Sequence, residues 1–274
     1  MRSLRPAQLV MRKWGGNCRP EAPNKKSVVR PVRRSMTSPL LDSSGPRQPS
    51  DEPHLEEIAR CCKRVYTEND ISGGAFDVET RFDVVGDSAD KDLIVTFCGS
   101  ESWRDWTVNS CLTMVKYADD CHVHAGFLSA WSSVDLQVVD RIDQLMRNHK
   151  QVRRIVVAGH SLGSAMATLC AFDLTRVRPQ YDVRLTTFAG PRVGDKVFAD
   201  KVCQTLRPLT LCHRGDMVPA IPRFSLVARR WFHPCGQVFM AAPKRCWNLV
   251  DRHLMHAYCE TVDAMADTPD PAEQ

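Results

Sequence analysis

No stretch of this 274-residue sequence is both long and apolar enough to read as a membrane span. The longest tempting uncharged run, residues 155–172, is broken by Gly159, His160, Ser161, Gly163 and Ser164, which makes it a poor helix for hydrocarbon. The 12 cysteines lack the tight paired spacing of a zinc finger; Cys61 and Cys62 are adjacent and the others mostly far apart. No apolar run after Met1 has the length of a secretory signal. Reduced thiols in a cytoplasmic or other reducing compartment are therefore expected, although an even count also permits disulfides. Long-range repeats are absent too. With 43% apolar and 25% charged residues, full-length disorder, collagen and coiled coil are excluded.

Charge is unevenly placed. Residues 1–50 hold 11 Lys and Arg against two acids, Glu21 and Asp42, for a net +9; residues 51–274 sum to −4. The folded part is thus mildly acidic, which argues against a nucleic-acid-binding core. The first 50 residues also contain 7 of the 17 prolines and almost no periodic apolar residues, so they bury too little to offset ordering entropy. Expected boundaries follow: a disordered basic Pro/Arg-rich arm over 1–52, one domain over 53–265, and an acidic tail over 266–274. An Arg-rich, acid-poor arm also suits organelle targeting.

Within the domain, helical spacing is expected over Glu56–Tyr66, and strands over Phe76–Val85 and Leu93–Phe97. Phe127, Trp131, Val134, Val138, Ile142 and Leu145 define one amphipathic helix of about five turns. A short buried strand, Ile155–Ala158, runs into a helix over Ser164–Thr175; a strand at Leu185–Phe188 and a helix at Val193–Leu206 follow. Strands at Leu209–Cys212 and Gln237–Met240 and a last helix at Leu254–Met265 complete the pattern. Strand and helix alternate from 93 to 216, which points to a mostly parallel central sheet with helices on both faces.

The chemistry centres on Gly159-His160-Ser161-Leu162-Gly163. A β-branched strand before it and a helix of small residues after it make this a nucleophile elbow, with the serine on a sharp strand-to-helix turn. A serine needs a base, and the base an orienting acid. The candidate acids after Ser161 are Asp173, Asp182, Asp195, Asp200, Asp216 and Asp251. Asp173 faces away from the helix start, and Asp195 reads as a helix cap. Asp216 directly follows a strand, where open α/β sheets place their sites, and leads. Among His213, His233, His253 and His256, the first lies too close to Asp216; His253 and His256 both fit the chain order Ser, acid, His. His253 stands at a loop-to-helix junction and His256 already inside the helix.

The chain resembles the class 3 lipase family, α/β-hydrolase relatives of fungal triacylglycerol lipases. The resemblance rests on Val95–Ser100 with Asp105-Trp106, Val123–Phe127, Gly159–Gly163, Thr187–Gly194, Asp216–Pro219, and His253 five residues before Tyr258. It covers about residues 53–265. Position 98, commonly Arg in the family, is Cys98 here. The resemblance implies a single-domain α/β-hydrolase that cleaves lipid esters, acylglycerols or phospholipids, through Ser161 as nucleophile, Asp216 as orienting acid and His253 as base. It implies an oxyanion hole from the N–H groups of Ser100 and Leu162, and a lid over residues 102–117. It implies no metal or cofactor. Lipid ester substrate and peripheral contact with a lipid interface are the expected partners; nucleic acid is not. A soluble small-ester esterase or thioesterase, and a non-catalytic lipid-binding protein of the same fold, are the alternatives.

Overall fold

The computed structural model describes residues 46–66, 76–81, 91–99, 113–118, 120–150, 152–222 and 230–266. Six strands form one sheet in the order β1-β2-β5-β6-β7-β8: β1 Phe76–Arg81, β2 Lys91–Phe97, β5 Val152–His160, β6 Asp182–Phe188, β7 Leu209–His213 and β8 Gln237–Met240. Within this sheet β1 runs antiparallel to β2, and β2, β5, β6, β7 and β8 are parallel to one another. A separate antiparallel pair joins β3 Met114–Lys116 to β4 His122–His124. The helices are α1 Leu55–Arg64, α2 Ala125–Ser132, α3 Asp135–Asn148, α4 Leu162–Val177, α5 Lys196–Leu206, α6 Leu249–His253 and α7 Met255–Ala266.

Period-two alternation in the strands builds two cores. Leu93, Val95 and Phe97 of β2 and Ile155 and Val157 of β5 pack with α2, α3, α4 and α5. Ile94, Val156, Ala158 and Phe188 face the other way, onto Leu55, Ile58 and Cys62 of α1 and Met255 and Tyr258 of α7. Both faces of the parallel sheet are therefore covered, and its strands read as continuous apolar runs. The architecture is that of an α/β-hydrolase, with a mostly parallel sheet between two helical layers.

Several expectations need correction. The single five-turn helix over 127–145 is two helices that break at Ser133-Val134. There the Ser133 hydroxyl donates to the Ala130 carbonyl at 2.7 Å and Val134 sits at φ −129°, ψ −8°. The apolar stripe survives the break, since Phe127, Trp131, Val138, Ile142 and Leu145 are all buried. The helix expected at Val193 starts at Lys196, because Asp195 caps it by accepting from the Phe198 N–H at 2.9 Å. The last helix is preceded by the short α6, and the extended Leu254 (φ −66°, ψ 139°) separates the two.

The packed unit also begins before residue 53. Arg47 is buried, ion-paired with buried Glu52, and donates to the Leu185 carbonyl at 3.4 Å; Glu52 accepts from the Thr186 hydroxyl at 3.2 Å. Residues 1–45 and 267–274 lie outside the described residues, as does most of the 102–117 segment; its end forms β3. The cysteines are not uniformly reduced: Cys203 of α5 and Cys235 form a disulfide with Cα atoms 5.6 Å apart. Among the described residues, no helix is long and apolar enough to cross a membrane.

Candidate active site

β5 lies inside the sheet, and its last residue, His160, delivers the chain into the elbow. Ser161 sits at φ 57°, ψ −124°, a conformation that costs a non-glycine residue about 1–3 kcal/mol. The flanking glycines make this turn possible. A Cβ on Gly163 would lie 2.1 Å from the Phe97 carbonyl oxygen, and one on Gly159 would lie 2.4 Å from the Gly163 oxygen. Nothing larger than hydrogen fits at either position. The turn is pinned by the Ser161 N–H donating to the Phe188 carbonyl at 3.0 Å. The Ser164 hydroxyl donates toward the carbonyls of Gly159 and Phe188, at 2.8 and 2.9 Å.

Three distant segments meet at the serine. Ser161 Oγ is 2.9 Å from His253 Nε2, and His253 Nδ1 is 2.9 and 3.1 Å from the two carboxylate oxygens of Asp216. All three residues are buried. A carboxylate can only accept, so Nδ1 carries the imidazole proton. Nε2 is then a lone pair aimed at the serine hydroxyl, which donates to it. Asp216 follows β7 and is held by two further donors: the Val218 N–H at 2.9 Å and the Tyr258 hydroxyl at 2.9 Å. Burial and the adjoining carboxylate push the Tyr258 phenol well above its ordinary pKa, so it stays protonated and donates. The same oxygen accepts from the His213 N–H at 2.8 Å.

The other candidates have separate employment. Asp173 accepts from the Trp131 indole at 2.8 Å and ties α2 to α4. Asp200 pairs with Lys196 and Asp182 with Arg184. Asp195 caps α5, and Asp251 lies in the first turn of α6. His213 stacks on Tyr258 with ring centroids 3.8 Å apart and bonds the Arg252 carbonyl and Thr261. His233 bonds the Pro219 carbonyl. His124 caps α2 with Nδ1, accepting from the N–H groups of Gly126 and Phe127 at 3.1 and 3.3 Å. His256 lies on α7, beyond the break at Leu254 that turns His253 toward Ser161.

Leu162 opens α4, where the first N–H groups have no acceptor within the helix and the positive end of its dipole faces the serine. Ser100 lies outside the described residues. Among the described residues, no group of three or more His, Cys, Asp or Glu side chains is placed to hold a metal ion. Two participants were not legible in the sequence as site residues. Tyr258 served only as a spacing landmark, and Tyr66 only as the end of a helical pattern. Both act through a hydroxyl whose partner is 33 or more residues away, and no local signal marks such a contact.

Residues 94–226 match the family described as Lipase (class 3). Among curated proteins, the chain is 30% identical over 159 residues to secreted mono- and diacylglycerol lipase A of Penicillium cyclopium, covering 57% of this chain and 50% of that one. It is 35% identical over 143 residues to secreted mono- and diacylglycerol lipase 1 of Fusarium solani, covering 51% and 42%. The chain thus spans about half the length of the curated relatives it matches. Among solved structures, a triacylglycerol lipase described as having a serine protease triad at its catalytic centre aligns with a TM-score of 0.59 at 21% identity. That alignment covers 76% of this chain and 96% of that one, and shows the shared fold. The expected cytoplasmic or reducing compartment is corrected: the matched fungal relatives are named as secreted, which points outside the cell. The Cys203–Cys235 bond agrees, since disulfides persist in oxidising surroundings.

Proposed function

We propose, from the premise that this chain belongs to the class 3 lipase family, that it is a serine hydrolase acting on carboxylic esters of lipids. The observation that carries the proposal is the buried chain of hydrogen bonds from Ser161 through His253 to Asp216, in which the tautomer is fixed by the acceptor-only carboxylate. Ser161 Oγ attacks the ester carbonyl while His253 Nε2 takes its proton. Asp216 holds the imidazole and stabilises the imidazolium that forms. Negative charge then sits on the former carbonyl oxygen, for which the N–H groups of Leu162 and Ser100 are the proposed donors; each such donor contributes about 2.7–4 kcal/mol in related chemistry. His253 returns the proton to the departing alcohol, leaving an acyl-enzyme. Water, activated by the same imidazole, releases the fatty acid and restores the serine.

Acylglycerols are the proposed substrate class, since the fungal relatives named above are mono- and diacylglycerol lipases. A hydrolysis panel tests this directly: mono-, di- and triacylglycerol, a phospholipid, and a short-chain soluble ester, each with a Ser161→Ala control. Turnover of acylglycerols above phospholipid and short ester is expected. Exclusive turnover of the short ester would replace the proposal with a soluble esterase.

A further inference from the structure

His160 stands between Gly159 and Ser161, and its imidazole is used on both nitrogens. Nε2 is 2.7 Å from the backbone carbonyl of His253, and Nδ1 is 2.7 Å from the Tyr66 hydroxyl. The Tyr66 hydroxyl in turn accepts from the Gly99 N–H at 3.0 Å. Only one proton arrangement satisfies all three bonds. The His253 carbonyl can only accept, so His160 Nε2 carries the hydrogen. Burial and the neighbouring His253 hold the His160 pKa well below its ordinary value, so the ring is neutral and Nδ1 is bare. Nδ1 therefore accepts from the Tyr66 hydroxyl, whose oxygen is left to accept from Gly99.

The chain of bonds thus runs Gly99 N–H to Tyr66 to His160 to the His253 carbonyl. It connects the end of β2, the residue preceding the nucleophile, and the backbone of the base. The His160 ring also lies 4.9 Å, centroid to centroid, from the His253 ring, and Tyr66 meets His160 edge-on at 5.7 Å. The close approach is built into the sequence at Gly99: a Cβ there would sit 2.2 Å from the Tyr66 oxygen. His253 itself sits at the C-terminal end of a five-residue helix followed by the extended Leu254. So short a helix gives its last residue little rigidity of its own, and an outside tether on the His253 carbonyl supplies what α6 does not. Asp216 orients the His253 side chain from one side; the tether fixes its backbone from the other.

We propose that Tyr66 and His160 are positioning residues that lock the backbone of the base to Gly99, just beyond β2, so that His253 and Gly99 keep one fixed spacing about Ser161. Neither residue touches the reacting atoms. The proposal rests on the catalytic reading of Ser161, His253 and Asp216 given above.

Tyr66→Phe keeps the ring and removes only the hydroxyl. Steady-state hydrolysis of a short-chain p-nitrophenyl ester by the full-length protein should show kcat lower by about tenfold with KM within about twofold, because alignment is lost and binding is not. His160→Leu should lose at least as much. His160→Gln, whose amide can donate to the His253 carbonyl and accept from Tyr66, should recover most of the rate. The Tyr66→Phe/His160→Leu pair should be no slower than His160→Leu alone, as expected for one connected unit. Wild-type kcat in Tyr66→Phe, or losses that multiply in the double variant, would overturn the proposal. So would a rate loss that merely tracks a loss of folded protein by circular dichroism. Ser161→Ala measured alongside separates the two levels: if it is inactive while Tyr66→Phe is fully active, the positioning role falls and the nucleophile assignment stands.

Discussion

Tyr258 and His124 show how much individual polar contacts matter beside the reacting groups. The Tyr258 hydroxyl donates to Asp216 and accepts from the His213 N–H, so Tyr258→Phe strands two buried partners while keeping the stack on His213. Hydrogen bonds to charged groups contribute about 1.5–3 kcal/mol. A stability loss in that range by urea denaturation, with a several-fold drop in kcat, is expected; unchanged stability would mean that the hydroxyl is idle. His124 makes a pH prediction. Burial lowers its pKa from 6.5 to about 4, and protonating Nδ1 would cost both cap bonds at the start of α2. The folded pKa is depressed, so this stability is fully present above pH 6.5 and is lost as pH falls toward 4. The difference is roughly 3 kcal/mol at about 1.4 kcal/mol per unit. His124→Asn, which caps without titrating, should flatten the fall in stability between pH 6.5 and 4; parallel curves for the two proteins would contradict the assignment.

At the scale of elements, the elbow is the most demanding piece of backbone. Gly163 faces the carbonyl of Phe97, so the first turn of α4 rests directly on the end of β2. Gly163→Ala cannot be relieved by a rotamer change, because the obstructing atom is backbone. A loss of about 3 kcal/mol or more is expected, at the upper end of overpacking costs, and a melting temperature within 2 °C of wild type, roughly, would be inconsistent with that contact. This element was legible in the sequence because its requirements are local: glycines at fixed offsets, a β-branched strand before and small residues after. The amphipathic stripe from Phe127 to Leu145 was legible as a buried face but not as two helices, since the break at Ser133-Val134 keeps the stripe in phase. Asp195 was legible as a cap, for the same local reason. The Tyr66–His160 contact spans 94 residues and the Tyr258–Asp216 contact 42, and periodicity carries no information about pairs that far apart. His253 illustrates the boundary between the two cases. Spacing to Tyr258 singled out His253, but the extended Leu254 that turns it away from the face of His256 is set by packing.

For the molecule as a whole, composition placed the division between arm and domain only approximately. Low apolar periodicity says where burial becomes possible, but one ion pair can extend a domain into a polar segment, as Arg47 and Glu52 do under Leu185 and Thr186. Deletion of residues 1–45 should leave the melting temperature unchanged. Arg47→Ala in the full chain should cost about 3–5 kcal/mol, because it leaves Glu52 buried without its partner. Equal melting temperatures for Arg47→Ala and wild type would show that the pair is dispensable. The central claim is that Ser161 is the nucleophile of an ester hydrolase, and active-site labelling tests it most directly. The full-length protein is treated with a fluorophosphonate and the modified peptide identified by mass spectrometry, with Ser161→Ala and His253→Ala in parallel. The predicted result is one adduct on Ser161, absent in Ser161→Ala and slowed by orders of magnitude in His253→Ala, with lipid-ester hydrolysis reduced about 10⁴-fold or more in Ser161→Ala. An adduct on another residue, or Ser161→Ala retaining a tenth of the hydrolysis, would contradict it.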